Sequence, residues 1–241
     1  MFNISYIIPL ICFWNTITNE ISKYKQELTS SNIVSLIHCL LFMAHHNYDY
    51  NLDYAVHMSV AYYTYDLTYI FTCILKSKNE FKRRFPFVIH HLITIYLLNL
   101  SLMGKSKEHI LYGYNILETS NIMLYVSYHL HKEHGNYLHL NIISEFFQLL
   151  WYSYFRVIKF SLYLHSNKVQ LFQFHLTSQC VVFALYFMGV IWSYKLFKKN
   201  IKNFYVLKEM YGYGGCCGGC CGDCCGGCST STLLDSKCNN D

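Results

Sequence analysis

The sequence predicts an all-α, polytopic transmembrane helical bundle of about six to seven spans, followed by a disordered Cys/Gly-rich tail. Three observations carry this prediction. Hydrophobic residues make up 53% of the 241-residue chain and charged residues only 14%. The apolar residues recur in blocks along the whole length, a distribution that one soluble core of this size does not need. Lysine and arginine gather in alternate connections between the blocks, the pattern that short cytoplasmic loops carry.

A window of roughly 20 residues, the length that crosses a hydrocarbon core of about 30 Å, finds seven candidate spans. They are Phe2 to Ile17, Ser31 to Ala44, Ala55 to Leu75, Phe87 to Met103, His109 to Leu130, Leu138 to Leu164 and His175 to Phe197. The first two are short. The first could instead be read as a signal peptide, but Met1 to Thr18 has no basic n-region and no clear small-residue cleavage site. Lys23 and Lys25 follow span one, Lys76 to Arg84 holds five basic residues after span three, and Lys195 to Lys208 follows span seven. The alternate connections are poor in both residues. The expected topology has an outside N-terminus and a cytosolic C-terminus. Residues 1–30 read as an N-terminal span and loop, 31–200 as the main transmembrane domain and 201–241 as a cytosolic tail.

Ionisable side chains inside a bilayer are expensive and mark functional sites by default. His90 and His91 stand four residues past Pro86, at the start of an apolar stretch. Asp66 is central in span three, where helical spacing places Tyr62 and Tyr69 on its face as hydrogen-bond partners. Glu118 is central in span five, with Asn115 and Asn121 one turn to either side. Arg156 and Lys159 stand one turn apart in span six, His38 lies in span two, and Glu145 lies near the start of span six. Two buried acids and two buried bases predict charge pairing around a shared interior cavity. A structural role, holding helices together by charge and hydrogen bonds, competes with a functional one for each of them. For the histidine pair the competing role is an interfacial one near the cytosolic face.

From His38 to about Tyr163 these residues resemble the TLC-domain family, which includes ceramide synthases, translocation-associated proteins and several lipid-handling proteins. The matching pieces are His38, the Tyr62-x-x-Tyr65-Asp66 element, Phe87-x-x-His90-His91, Glu118-Thr119-Ser120-Asn121 and the aromatic segment ending in Tyr154-Phe155-Arg156. In ceramide synthases the histidine pair serves acyl transfer from acyl-CoA to a sphingoid-base amine. Carried over, the resemblance makes His90 and His91 the candidate catalytic residues, with Asp66 or Glu118 able to orient an imidazole. Asp66, Glu118, Arg156 and His38 become candidate substrate-binding residues. No resident cofactor and no metal in the spans is expected; acyl-CoA would be a co-substrate only.

One departure weighs against synthase chemistry. Ceramide synthases follow their histidine pair with a His-Asp-x-x-Asp-x-x-Leu-Glu segment. With its Leu-Glu on Leu117 and Glu118, Ile110 and Leu111 stand at the His-Asp and Tyr114 at the second Asp. The chain therefore resembles the members outside the synthase group more closely. The expectation is a protein that binds, senses or regulates membrane lipids, with acyl-CoA-dependent N-acyl transfer and a trafficking or translocation adaptor as alternatives. The family resemblance implies an endoplasmic-reticulum-type membrane and membrane lipids as partners. Lys82 to Arg84 reads as a topology signal, or as an attraction for anionic headgroups. Nothing combines a basic patch with a nucleic-acid-binding module.

The tail from Gly214 to Cys228 repeats cysteine pairs every four residues. Overlapping Cys-x-x-Cys spacings suit Zn²⁺ or Cu(I), and a cytosolic position next to a membrane permits S-palmitoylation. A low-complexity segment with no dedicated role accounts for the same residues.

Overall fold

A computed structural model describes residues 4–48, 51–76, 78–104, 107–133, 137–168 and 176–212. All of the regular structure in these residues is helical: α1 (Ile4–Ser22), α2 (Glu27–Asn47), α3 (Leu52–Lys76), α4 (Lys78–Leu102), α5 (Lys107–Glu133), α6 (Leu138–Ser153), α7 (Phe160–Ser166) and α8 (Leu176–Gly212). A π-helical segment, Tyr154–Lys159, joins α6 to α7 without leaving helical backbone. The described residues thus form seven helical rods, one for each apolar block. The Cys/Gly repeat lies outside the described residues.

Helix and apolar block differ most at α4. The basic run after span three was expected as a loop, but its backbone is helical from Lys78 onward. An apolar window ends where charge begins, whereas Lys, Arg and Glu are good helix formers, so the charged residues extend the helix instead of stopping it. His90 and His91 consequently lie halfway along a 25-residue helix, well away from either of its ends. Gly104 ends this segment at φ +75, where a side chain would be strained. Its N–H donates to Ser101 O at 3.1 Å and Met103 N–H donates to Asn99 O at 3.2 Å, closing orphan carbonyls of the last turn.

Polarity runs inside out. Along α6, Asn141, Ser144, Glu145 and Gln148 are buried while Ile143, Phe146, Phe147 and Leu150 are exposed. α8 repeats this, with Ser178 and Ser193 buried against exposed Phe183, Phe187 and Ile191. Water would reverse such an arrangement; lipid favours it, because hydrocarbon outside rewards polar groups that find partners within the bundle. Among the described residues, two stretches are long and apolar enough to cross a membrane, Arg84–Leu102 and Leu176–Glu209.

Met1–Asn200 forms one compact unit. In it, α1, α2 and α3 share an apolar core around Trp14, Val34, Phe42, Val56 and Ala61, which reaches Leu98 on α4 and Leu111 on α5. Trp14 is fully buried and its indole N–H donates to Met58 O at 3.2 Å, fastening α1 to α3. A second cluster joins Ile116 and Leu117 of α5 to Phe160 of α7 and Leu185 of α8. One ion pair joins the starts of α5 and α3, Lys107 Nζ to Asp53 Oδ1 at 2.8 Å, and another joins the interiors of α8 and α6, Lys199 Nζ to Glu145 Oε1 at 2.8 Å. The second unit begins at Ile201, and its described part, to Gly212, is helical.

Candidate functional site

Helices α2, α3, α4 and α5 bring most of the interior ionisable residues together. On α4, His91 Nε2 lies 2.6 Å from Asp66 Oδ2 of α3. A carboxylate only accepts, so the imidazole donates here. This fixes the ring and leaves His91 Nδ1 buried without a hydrogen-bond partner. The adjacent His90 is also buried, its ring 5.5 Å from that of His91 and 6.4 Å from the Trp192 indole of α8. Among the described residues it makes no hydrogen bond through its ring.

Tyr63 links this pair to a second acid. Its ring centroid stands 4.9 Å from that of His91, and its hydroxyl donates to Glu118 Oε1 at 2.5 Å. Tyr114 donates to the Tyr63 oxygen at 3.3 Å. The other carboxylate oxygen, Oε2, accepts from Cys39 Sγ at 2.8 Å and lies 3.8 Å from His38 Nδ1. His38 stacks on Tyr62 at 4.1 Å and meets Ser59 Oγ through Nε2 at 3.0 Å. One continuous polar group therefore runs Asp66, His91, Tyr63, Glu118, Cys39, His38, Ser59 through the middle of the bundle. Helical spacing puts Tyr62 and Tyr63 each about one turn before Asp66 on α3.

Arg156, on the π-helical segment, meets α5 at a different place. The π-helical segment inserts an extra residue in the turn, and its guanidinium reaches Ser120 Oγ at 2.6 Å, Asn121 Oδ1 at 3.2 Å and Leu117 O at 3.3 Å. The side chain is 2% exposed. Gly189 of α8 makes room for it: a Cβ there would lie 3.2 Å from Arg156 Cβ.

The expected pairing of acids with Arg156 and Lys159 does not form among the described residues. Arg156 is satisfied by neutral oxygens, Lys159 lies over the Phe155 ring at 5.0 Å, and the acids pair with His91, Tyr63, Cys39 and Lys199. The reason is rotational: the π segment turns Arg156 toward the Ser120 and Asn121 face of α5, whereas Glu118 points toward α2 and α3. Tyr62 also departs from expectation, meeting Ser35 Oγ at 2.7 Å. Sequence reasoning missed Cys39, Tyr63 and Ser59. Cys39 reads as one more apolar residue, and only the fold places it beside an acid 79 positions away.

Beside this polar group lies a narrow apolar cavity of about 50 Å³. Thr94, Leu98, Gly113, Tyr114, Phe160 and Leu185 are among the residues on its wall. Thr94 is one turn past His90, whose carbonyl accepts from its hydroxyl at 2.9 Å. Ile110 and Tyr114, at two positions where ceramide synthases carry His and Asp, line this cavity, while Leu111 is fully buried in the apolar core.

The profile of the TLC domain shared by the TRAM, LAG1 and CLN8 proteins matches residues 4–198. No curated protein and no solved structure matches the chain. The inside-out helical bundle and a match over most of its length show that this chain is a membrane protein belonging to the TLC-domain family.

Proposed function

We propose that this TLC-domain protein binds a membrane lipid, holding acyl chain in the cavity between α4, α5, α7 and α8 and its polar end against the buried histidine pair. The observation that carries the proposal is the adjacency of an apolar slot to a buried polar group, joined at Tyr114, which lines the slot and donates to Tyr63. Ligand sites combine these parts: mostly apolar walls with a few placed polar groups. At about 50 Å³ the slot is smaller than the roughly 300–1,000 Å³ of ordinary ligand pockets, so a chain entering from the bilayer has to push its wall side chains apart.

Ile110, Leu111 and Tyr114 favour lipid binding or regulation, and kinship with members outside the synthase group, over acyl transfer. Ile110 and Tyr114 give the slot apolar surface and one phenol, and Leu111 packs in the apolar core beside it. A second reading is supported by the His91 geometry: an imidazole oriented by a carboxylate, with its other nitrogen unpaired, is how a general base is held. In that reading His91 takes the proton of a sphingoid-base amine, the amine nitrogen bonds to the acyl carbonyl carbon, and the carbon–sulfur bond breaks to release CoA as the thiol.

We further place the protein in an endoplasmic-reticulum-type membrane with six to seven spans and a cytosolic C-terminus. Protease protection of a C-terminal tag in sealed vesicles tests that orientation. Photo-crosslinking with a diazirine-bearing acyl lipid tests the main reading, with label expected on peptides containing Thr94, Tyr114 or Leu185. Label confined to the outward faces of α6 and α8 would contradict it. N-acyl transfer from labelled acyl-CoA in membranes lacking ceramide synthase tests the second reading. Activity lost in His90→Ala/His91→Ala at matched expression would make the chain an enzyme.

A further inference from the structure

We infer that His38, Cys39 and Glu118 form a metal site for a zinc-class divalent ion in the interior of the bundle, beyond the lipid-binding reading. One donor atom from each residue lies within 4.8 Å of the others, and all three residues are buried. His38 Nδ1 stands 3.8 Å and Cys39 Sγ 2.8 Å from Glu118 Oε2. Donors around tetrahedral zinc are separated by about 3.3–3.8 Å, given bonds of roughly 2.0–2.3 Å. Closing on an ion therefore needs side-chain shifts of about an ångström or less, on helices α2 and α5 already packed together.

Three features separate this cluster from a chance meeting of polar residues. His38 Nδ1 is buried in a residue 1% exposed and has no hydrogen-bond partner, though it is aimed at the carboxylate. The outer contacts are those of a ligand set. His38 meets Ser59 Oγ through its remote nitrogen, leaving Nδ1 as the nitrogen that faces Glu118, and Glu118 accepts from Tyr63 through the oxygen not shared with Cys39. Such partners orient the ligands. Charge supplies the third feature. A divalent ion with one thiolate, one carboxylate and one neutral imidazole sums to zero, whereas a buried carboxylate alone is costly in hydrocarbon.

The donor set selects the metal class. Thiolate and imidazole disfavour Mg²⁺ and Ca²⁺, which take oxygen ligands, and suit Zn²⁺. Three protein donors leave a fourth position open, the pattern of sites that polarise a bound oxygen. Sequence spacing conceals the set, because His38 and Cys39 are adjacent and Glu118 stands on another helix.

Metal binding by the full-length chain tests this, with Cys216 to Cys238 replaced by Ser so that the tail contributes no thiolate. After stripping with a chelator and reloading, about one equivalent of Zn²⁺ should survive gel filtration. Co²⁺ should give a thiolate charge-transfer band that Cys39→Ser abolishes and Cys180→Ser leaves intact. Ser59→Ala should keep the band and weaken affinity about 10–100-fold. If Cys39→Ser fails to elute as a folded protein, Glu118→Gln takes its place, and its metal affinity should fall further than that of Ser59→Ala. No retained zinc, or a charge-transfer band unchanged in Cys39→Ser or a Zn²⁺ affinity unchanged in Glu118→Gln, would overturn the site.

Discussion

His91 and Asp66 meet across the α3–α4 interface at 2.6 Å, with their side chains 8% and 15% exposed. Removing one partner leaves the other's buried polar group unsatisfied, at a cost of about 1–3 kcal/mol, whereas removing both costs much less. Asp66→Ala and His91→Ala should therefore each lower the unfolding temperature strongly. The double variant should be no less stable than either single one. Thermal unfolding in detergent across this cycle checks it, and additive losses would mean the pair is not coupled.

Arg156 is held by three oxygens of α5 and no carboxylate. Truncation to Ala leaves Asn121 Oδ1 without the guanidinium and empties a buried site, while Ser120 Oγ and Leu117 O keep their mutual hydrogen bond, so stability should fall by more than the ~1 kcal/mol of a single hydrogen bond. Arg156→Lys should recover little, because an ammonium lacks the planar fork that spans these acceptors. Denaturant titration of both variants measures the difference.

The same residue sets the sign at Gly189. Gly→Ala in a helix normally gains roughly 0.5–1 kcal/mol. Here the new methyl meets Arg156 Cβ at 3.2 Å, and the anchored guanidinium keeps that atom from retreating. Gly189→Ala should thus be neutral or destabilising by up to about 2 kcal/mol. Pairing it with Arg156→Ala should restore the usual gain, which unfolding temperatures would reveal.

Tyr63 is the hinge between the histidine pair and Glu118. Tyr63→Phe keeps the ring against His91 but withdraws the hydroxyl from Glu118 Oε1 and Tyr114. A loss of about 1–3 kcal/mol is expected for leaving buried groups unsatisfied. Tyr69→Phe, on the same helix, should cost less, and comparison of the two unfolding curves checks the ranking.

Much of the fold was legible because a bilayer demands long apolar blocks, and each block became a helix. Helix ends were less legible. Charge marks where apolar composition stops, so Lys78 to Arg84 read as a loop although it forms the start of α4. Of the site, Asp66, His90, His91, Glu118, His38 and Arg156 stood out as ionisable residues in apolar surroundings, and all are buried or nearly so. Their partners did not stand out. The pairing of Glu118 with Tyr63 and Cys39 depends on how α2, α3 and α5 rotate against one another. The turning away of Arg156 depends on a π segment that no periodicity announces.

Lipid content of the purified protein tests lipid binding most directly. The full-length chain, extracted in mild detergent and analysed by native mass spectrometry, should carry about one acyl lipid. Val182→Phe, which fills the wall of the slot, should lose that lipid, whereas Ile191→Phe, on the exposed face of α8, should keep it. Equal lipid on both variants, or none on the unaltered chain, would contradict the assignment of the cavity as an acyl-chain site.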